Sequence, residues 1–283
     1  MPWDSSALDL DAYLARTGAT AAPPSLAALT DLLVAHARTF PFDNIDVLLE
    51  QHPGVSLETV QEKFVGRGRG GYCFEHGTLV HAVLDRLGYD VQPHLGRVHD
   101  VVEGSRTHLT LVVTIDQVRY LCDPGIGVPP LGPIELRDGA QLRTGLWPHE
   151  IRETDQEQPG GTAWQLWRRR TDEWELMHLV DELPARRVDV EMGHLWTSTA
   201  PAPFRSALIA NRHRVDPDGT HALVTINEHA VTEGRAGEEP QRRTYDLAEL
   251  PDLLTQVGVH LSDDEAARLV ARVRALRDLG CVG

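Results

Sequence analysis

The chain has 283 residues, 41% hydrophobic and 24% charged, which is ordinary for a globular protein with a sizeable core. Its 42 Asp and Glu outweigh 27 Lys and Arg for a formal net charge of −15, which argues against nucleic acid and against an anionic membrane surface as partners. Three widely spaced cysteines, Cys73, Cys122 and Cys281, form no CxxC and exclude a disulfide framework or a cysteine zinc site.

Met1 to Ser5 has neither a basic nor an apolar leader region, and no apolar run reaches membrane-spanning length. The expected compartment is the reducing cytoplasm, where a free thiol persists. The first ninety residues read as helical. Leu8, Leu10, Tyr13 and Leu14 precede Gly18, and Leu26, Leu29, Leu32, Leu33 and Ala37 mark a second helix that ends before Pro41. Leu57, Val60 and Phe64 mark a third. A glycine-rich turn, Gly66 to Gly71, leads to a fourth from about Cys73 to Leu87, with Gly88 as its stop.

From about residue 90 the period changes to that of strands. Runs occur at Val91 to Val98, His108 to Ile115, Val118 to Cys122, Trp164 to Arg168 and Trp174 to Val180. They predict an antiparallel β-domain of Greek-key or barrel character. The polar stretch Glu153 to Gly161 reads as a loop. His221 to Asn227 and Arg242 to Leu247 read as later strands. Ser262 with Glu265 forms a capping box before a helix carrying Leu269, Val270, Val273 and Leu276.

Gly70-Gly71-Tyr72-Cys73-Phe74-Glu75-His76 is the most informative stretch. A cysteine in the first turn of a helix faces unpaired N–H groups and the positive end of the helix dipole, which favour a thiolate. The same amides suit an oxyanion. A free cysteine by itself is more often a small buried residue, so the partners decide. If Asp116-Gln117 turns a two-residue hairpin, Ile115 faces Val118, Asp123 faces Thr110, and His108 and Asp123 become diagonal neighbours roughly 7–8 Å apart. An aspartate so placed fixes the imidazole tautomer and leaves the other ring nitrogen for the thiol. A slip of one residue would separate them. Alone, His108 fits a strand end and Asp123 a turn before Pro124-Gly125.

Other signals are discounted. Gly66-x-Gly68-x-x-Gly71 matches a dinucleotide fingerprint but follows a helical segment rather than a strand. Fourteen histidines form no HExxH and no tight His/Asp cluster in sequence, so no metal is expected. Arg168-Arg169-Arg170 reads as a solvated hairpin tip.

The stretch Arg69-Gly70-Gly71-Tyr72-Cys73-Phe74-Glu75 resembles the nucleophile motif of the arylamine N-acetyltransferases, a family that includes related amide synthases. His108 follows Cys73 by 35 residues and Asp123 follows His108 by 15, as the resemblance requires. Pro41-Phe42-Asp43-Asn44, Asp123-Pro124-Gly125-Ile126-Gly127 and Pro203-Phe204-Arg205 extend it over nearly the whole chain. The resemblance implies an α+β fold: a helical bundle (1–90) carrying the nucleophile, an antiparallel β-barrel (91–195) carrying His and Asp, and an α/β lid (196–283). It implies a catalytic triad of Cys73, His108 and Asp123, and a ping-pong acyl transfer from acetyl-CoA or another acyl-CoA to an arylamine or hydrazine. It also implies substrate contacts at Phe42, Tyr72, Phe74, Val98 and Ile126 and cofactor contacts at Gly125 and Gly127. Three positions depart from the family pattern: Gly77 for Asn, Pro124 for Val and Ile126 for Phe. The missing Phe leaves room for a larger substrate and keeps two alternatives open. One is an amide synthase drawing on an acyl carrier protein, the other a thiol hydrolase or transglutaminase-like enzyme.

Overall fold

The computed structural model describes residues 3–98, 102–154, 162–170, 172–199 and 203–280. Cys281 and most of the expected loop at 153–161 lie outside them, while Glu153 and Thr154 end a strand. Helix α1 (Leu10–Thr17) is capped by the Asp9 carboxylate, which accepts from Ala12 N. Helix α2 (Leu26–Thr39) is capped by Ser25 and buries Leu29, Leu32, Leu33, His36 and Ala37 along one stripe. A two-residue strand β1 (Phe42–Asp43) and a short α3 (Ile45–Leu48) follow. Helix α4 (Leu57–Gln61) continues into a π-turn, Glu62–Gly66. Helix α5 (Cys73–Arg86) starts and stops where its motif and Gly88, at φ 86°, place it. Its residues 73–84 are all buried, so it is the hub of the helical core rather than an amphipathic cover.

Eight antiparallel strands form the second layer. They are β2 (Asp90–Val98), β3 (Arg106–Ile115), β4 (Val118–Cys122), β5 (Ile134–Glu135), β6 (Gln141–Leu142), β7 (His149–Thr154), β8 (Ala163–Arg169) and β9 (Trp174–Pro184). Their order is β5-β4-β3-β2-β9-β8-β7-β6, and the short end strands β5 and β6 approach each other, so the sheet is a nearly closed barrel. The β3–β4 register is the expected one, with Ile115 opposite Val118 and Leu111 opposite Cys122. Asp116 and Gln117 both take positive φ, 50° and 66°, as a two-residue turn of primed type requires.

Helix α6 (Arg187–Thr199) and the short α7 (Pro203–Ser206) lead to a five-stranded sheet. It comprises β10 (Ala210–Val215), β11 (His221–Ile226), β12 (Ala230–Arg235) and β13 (Gln241–Thr244), with β1 on its edge against β10. Helices α8 (Leu250–Gln256) and α9 (Asp263–Gly280) share its core through Leu253, Leu254, Leu269, Val273 and Leu276. The Ser262–Glu265 capping box is present, with bonds of 2.9 and 3.3 Å. Strand β1 therefore carries Phe42 out of the helical segment and into the C-terminal sheet. No helix among the described residues is long and apolar enough to cross a membrane.

Candidate active site

Cys73 is the first residue of α5, and Glu75 caps that helix by accepting the Tyr72 N–H at 3.1 Å. Glu75 is itself fully buried and anchored. Lys63 Nζ lies 2.7 Å from its Oε1 and His52 Nε2 lies 3.2 Å from its Oε2. Burial alone would raise the Glu75 carboxyl, but Lys63 and His52 bring it down to about 2. Lys63 also reaches Asp46 at 3.0 Å, Asp46 takes Arg69 at 2.8 Å, and Arg69 takes Glu265 of α9 at 3.2 Å. A buried ionic chain thus ties the turn before Cys73 to the C-terminal helix. The sequence motif displayed Arg69 and Glu75, but nothing in the sequence showed Lys63 or Asp46 as their partners.

The hairpin brings the other two residues in. His108, on β3, sits 2.8 Å by Nε2 from Asp123 Oδ2, just beyond the end of β4, and both are buried. Burial alone would lower the His108 imidazole. Asp123, followed by contact with Cys73, outweighs it and pushes the ring up to about 10. Burial likewise opposes the Asp123 carboxylate, and His108 followed by His178 holds it well below the usual carboxylate range. The Cys73 thiol donates to Thr107 O at 3.7 Å, beside His108. Gly125, after Asp123, lies flat against the helix start. A Cβ there would stand 2.6 Å from Cys73 Cα, so only glycine permits that approach.

An open cavity of about 1250 Å³ borders this cluster and is lined in part by Phe42, Cys73, Val98, His108, Gly125, Ile126 and Gly127. Two expected substrate contacts are corrected. Tyr72 and Phe74 are fully buried and are not among the described residues lining the cavity. Helix geometry turns them away from the Cys73 face. The Tyr72 hydroxyl bonds His194 Nδ1 at 2.5 Å, and the Phe74 ring packs where a Cβ on Gly193 would meet it at 2.7 Å. Arg168 is also corrected. Its place beside a hairpin tip is right, but it is 8% exposed, lines the cavity, pairs with Glu175 at 2.8 Å and stacks over Trp147 at 5.1 Å. Gly77 has a packing reason, because a Cβ there would meet Leu109 at 2.6 Å across the helix–barrel contact.

The histidines also need correction. No tight His/Asp cluster is visible in sequence, yet the fold makes one, with ligand atoms of His108, Asp123 and His178 within 4.8 Å of one another. Both imidazoles direct Nε2 at Asp123 Oδ2, each at 2.8 Å, so the atoms a metal would use are engaged with one another. His178 escaped the sequence reading because it is 55 residues from Asp123 and reaches it only through the pairing of β9 with β2.

Comparison with known proteins agrees with this architecture. A family model described as N-acetyltransferase matches residues 25–266. The arylamine N-acetyltransferase of Mycolicibacterium smegmatis is 30% identical, covering 96% of this chain and 99% of the relative. The structure of the arylamine N-acetyltransferase from Mycobacterium abscessus is similar with a TM-score of 0.87 at 28% identity, covering 97% of this chain and 99% of that one. The Mycobacterium marinum arylamine N-acetyltransferase in complex with CoA gives 0.84 at 31% identity, covering 95% and 99%. With a family model over most of its length and a relative aligned nearly end to end, the chain belongs to the arylamine N-acetyltransferase family.

Proposed function

We propose that the chain transfers an acyl group, acetyl foremost, from acyl-CoA through a Cys73 thioester to an arylamine or hydrazine in the cytoplasm. The observation that carries this reading is the buried line Cys73–His108–Asp123 opening on one cavity. In it, segment 1–90 supplies the nucleophile, 91–195 its partners and 196–283 part of the cavity wall.

Proton bookkeeping follows from the pair. The Cys73 thiolate attacks the thioester carbonyl, and the first-turn amides of α5 stabilise the oxyanion. The carbon–sulfur bond to CoA breaks, and the CoA thiolate leaves and takes the proton of the His108 imidazolium. The amine then attacks acyl-Cys73, neutral His108 accepts its proton, and the amide departs as the Cys73–His108 ion pair re-forms. Asp123 holds the imidazole orientation throughout. Gly125 and Gly127 line the cavity beside Cys73, which suits an acyl-CoA chain running along that loop. Arg168, Arg170, Arg235 and Arg242, interleaved with Asp172, Glu175, Glu238 and Glu239, border the same cavity and offer cations to its phosphates.

A second reading draws on Ile126, which lines the cavity where the family pattern has Phe: transfer of a larger acyl chain, including one delivered on a carrier protein. Intact-mass spectrometry after incubation with a panel of acyl-CoAs and no amine tests both. Acetyl-CoA should add one acetyl mass on the Cys73 peptide, and Cys73→Ala should take none. Loading only by long acyl donors would favour the second reading. Label on Cys122 would overturn the assignment, and an acyl-enzyme that discharges to water faster than to any amine would indicate a hydrolase.

A further inference from the structure

Asp123 accepts two imidazole hydrogen bonds on one oxygen. His108 Nε2 and His178 Nε2 each lie 2.8 Å from Oδ2, with ring centroids 4.9 Å apart. The other oxygen, Oδ1, takes the Gly125 N–H at 3.3 Å. The side chains of His178 and Asp123 are both fully buried. The two rings come from different strands, β3 and β9, with β2 between them. On β2, Gly96 is paired with His108 and Val98 with His178. A Cβ on Gly96 would stand 3.0 Å from Leu179 O and 3.3 Å from His178 Nδ1, so the absent side chain gives the ring its space.

The hydrogen positions follow from chemistry. An ionised carboxylate only accepts, so His178 must carry its proton on Nε2. Its Nδ1 has no hydrogen-bond partner among the described residues, so nothing there competes for that proton. Burial, acting against the pull of Asp123, keeps the His178 ring below its ordinary value and therefore neutral.

We propose that His178 is a positioning residue for acyl transfer, whose Nε2–H fixes Oδ2 of Asp123 toward His108. The inference rests on the roles given above to Cys73, His108 and Asp123. Held only by His108 and the long Gly125 N–H bond of 3.3 Å, the carboxylate would be freer to turn about its last torsion and exchange oxygens. A second donor, from the strand on the other side of β2, fixes which oxygen faces His108. A neutral donor does so without adding a positive charge that would weaken the attraction between Asp123 and the imidazolium.

The test uses the whole chain in three forms: wild type, His178→Leu, which removes the donor, and His178→Gln, whose amide can still donate from nearly the same place. Ring ¹⁵N spectra, assigned by the signal lost in His178→Leu, should show His178 as a neutral ring protonated on Nε2 at pH 7 to 8. With acetyl-CoA and a small hydrazine, His178→Leu should lower kcat about tenfold or more, the scale of one hydrogen bond to a charged group, with KM nearly unchanged. His178→Gln should recover most of that loss. A ring protonated on Nδ1, or His178→Gln as impaired as His178→Leu, or a His178→Leu enzyme with wild-type kcat, would each overturn the proposal. A wild type that fails to acetylate Cys73 at all would instead overturn the functional reading, and the ring spectrum would still decide the His178 geometry.

Discussion

Two groups of buried histidines behave in opposite ways. In the helical core, Tyr13 donates to His36 Nδ1 at 3.1 Å, His36 Nε2 lies 2.8 Å from His76 Nδ1, and His76 Nε2 lies 3.2 Å from Pro41 O. The Pro41 carbonyl only accepts, so it sets every tautomer in the chain: His76 carries its proton on Nε2 and His36 does the same. No carboxylate touches either ring in these bonds. Burial pushes His76 down to about 4 and His36 well below its ordinary value. At the barrel edge, His108 is just as buried and is pushed up to about 10, because Asp123 and Cys73 stand beside it. Burial is common to both groups; Glu75 pulls His76 upward without offsetting it, whereas the carboxylate hydrogen-bonded to His108, with Cys73 beside it, reverses the sign.

The largest effect should come from removing that carboxylate. Asp123→Asn should turn His108 into a ring like His36, neutral when buried, and lower kcat/KM about 10³–10⁴-fold, the scale seen when a triad aspartate becomes an amide. Far-UV circular dichroism should stay unchanged. Retention of activity within tenfold would break the comparison.

Acid should unfold the protein through the other group. The unfolded chain gains protons on His36 and His76 below about pH 6.5, while the folded chain refuses them until pH falls to about 4 at His76. Their contribution is therefore present above 6.5 and lost as pH falls from 6.5 toward 4. The slope is about 1.4 kcal/mol per pH unit for each ring. His108 has the opposite sign: its contribution is full below 6.5 and fades as pH rises toward about 10. Urea unfolding from pH 7 to 5 should show a falling midpoint, and a flat midpoint would contradict the neutral assignment.

A smaller effect isolates one bond. Tyr13→Phe leaves His36 Nδ1 without its donor and should cost about 1–2 kcal/mol of stability. The kcat/KM of the folded enzyme should stay within about twofold, since the helical group lies outside the reacting line. The smallest effect concerns the cavity. Ile126→Phe fills space at its wall and should shift the ratio of kcat/KM for a small aniline over a bulky acceptor by about threefold, at roughly 25 cal/mol per Å² of apolar contact. An unmoved ratio would show that Ile126 does not shape the substrate site.

What the sequence reveals and what it hides follow the range of the interactions. The start of α5, its glycine stop, the Asp116-Gln117 turn and the pairing that sets His108 beside Asp123 are local, and each has a residue signature. The family resemblance adds the barrel and the C-terminal sheet. Strands β5 and β6 have two residues each and no period to detect, and β7, with the sequence HEIRET, is too polar to stand out. Tyr72 and Phe74 look like cavity residues because they flank Cys73, but helical geometry turns the neighbours of a cavity-facing position into the core. His178, Lys63 and Arg168 owe their environments to chain closure over tens of residues, and a lone His, Lys or Arg in a sequence says nothing of what it will meet.

The proposed acyl transfer depends most directly on the charge of His108. Ring ¹⁵N spectra of wild-type protein at pH 8 should show His108 protonated on both nitrogens while His36 and His76 carry one proton each, and Asp123→Asn should bring His108 into the second class. A His108 ring that loses its proton near pH 6.5 in the wild type would contradict the ion pair on which the proposed acyl transfer depends.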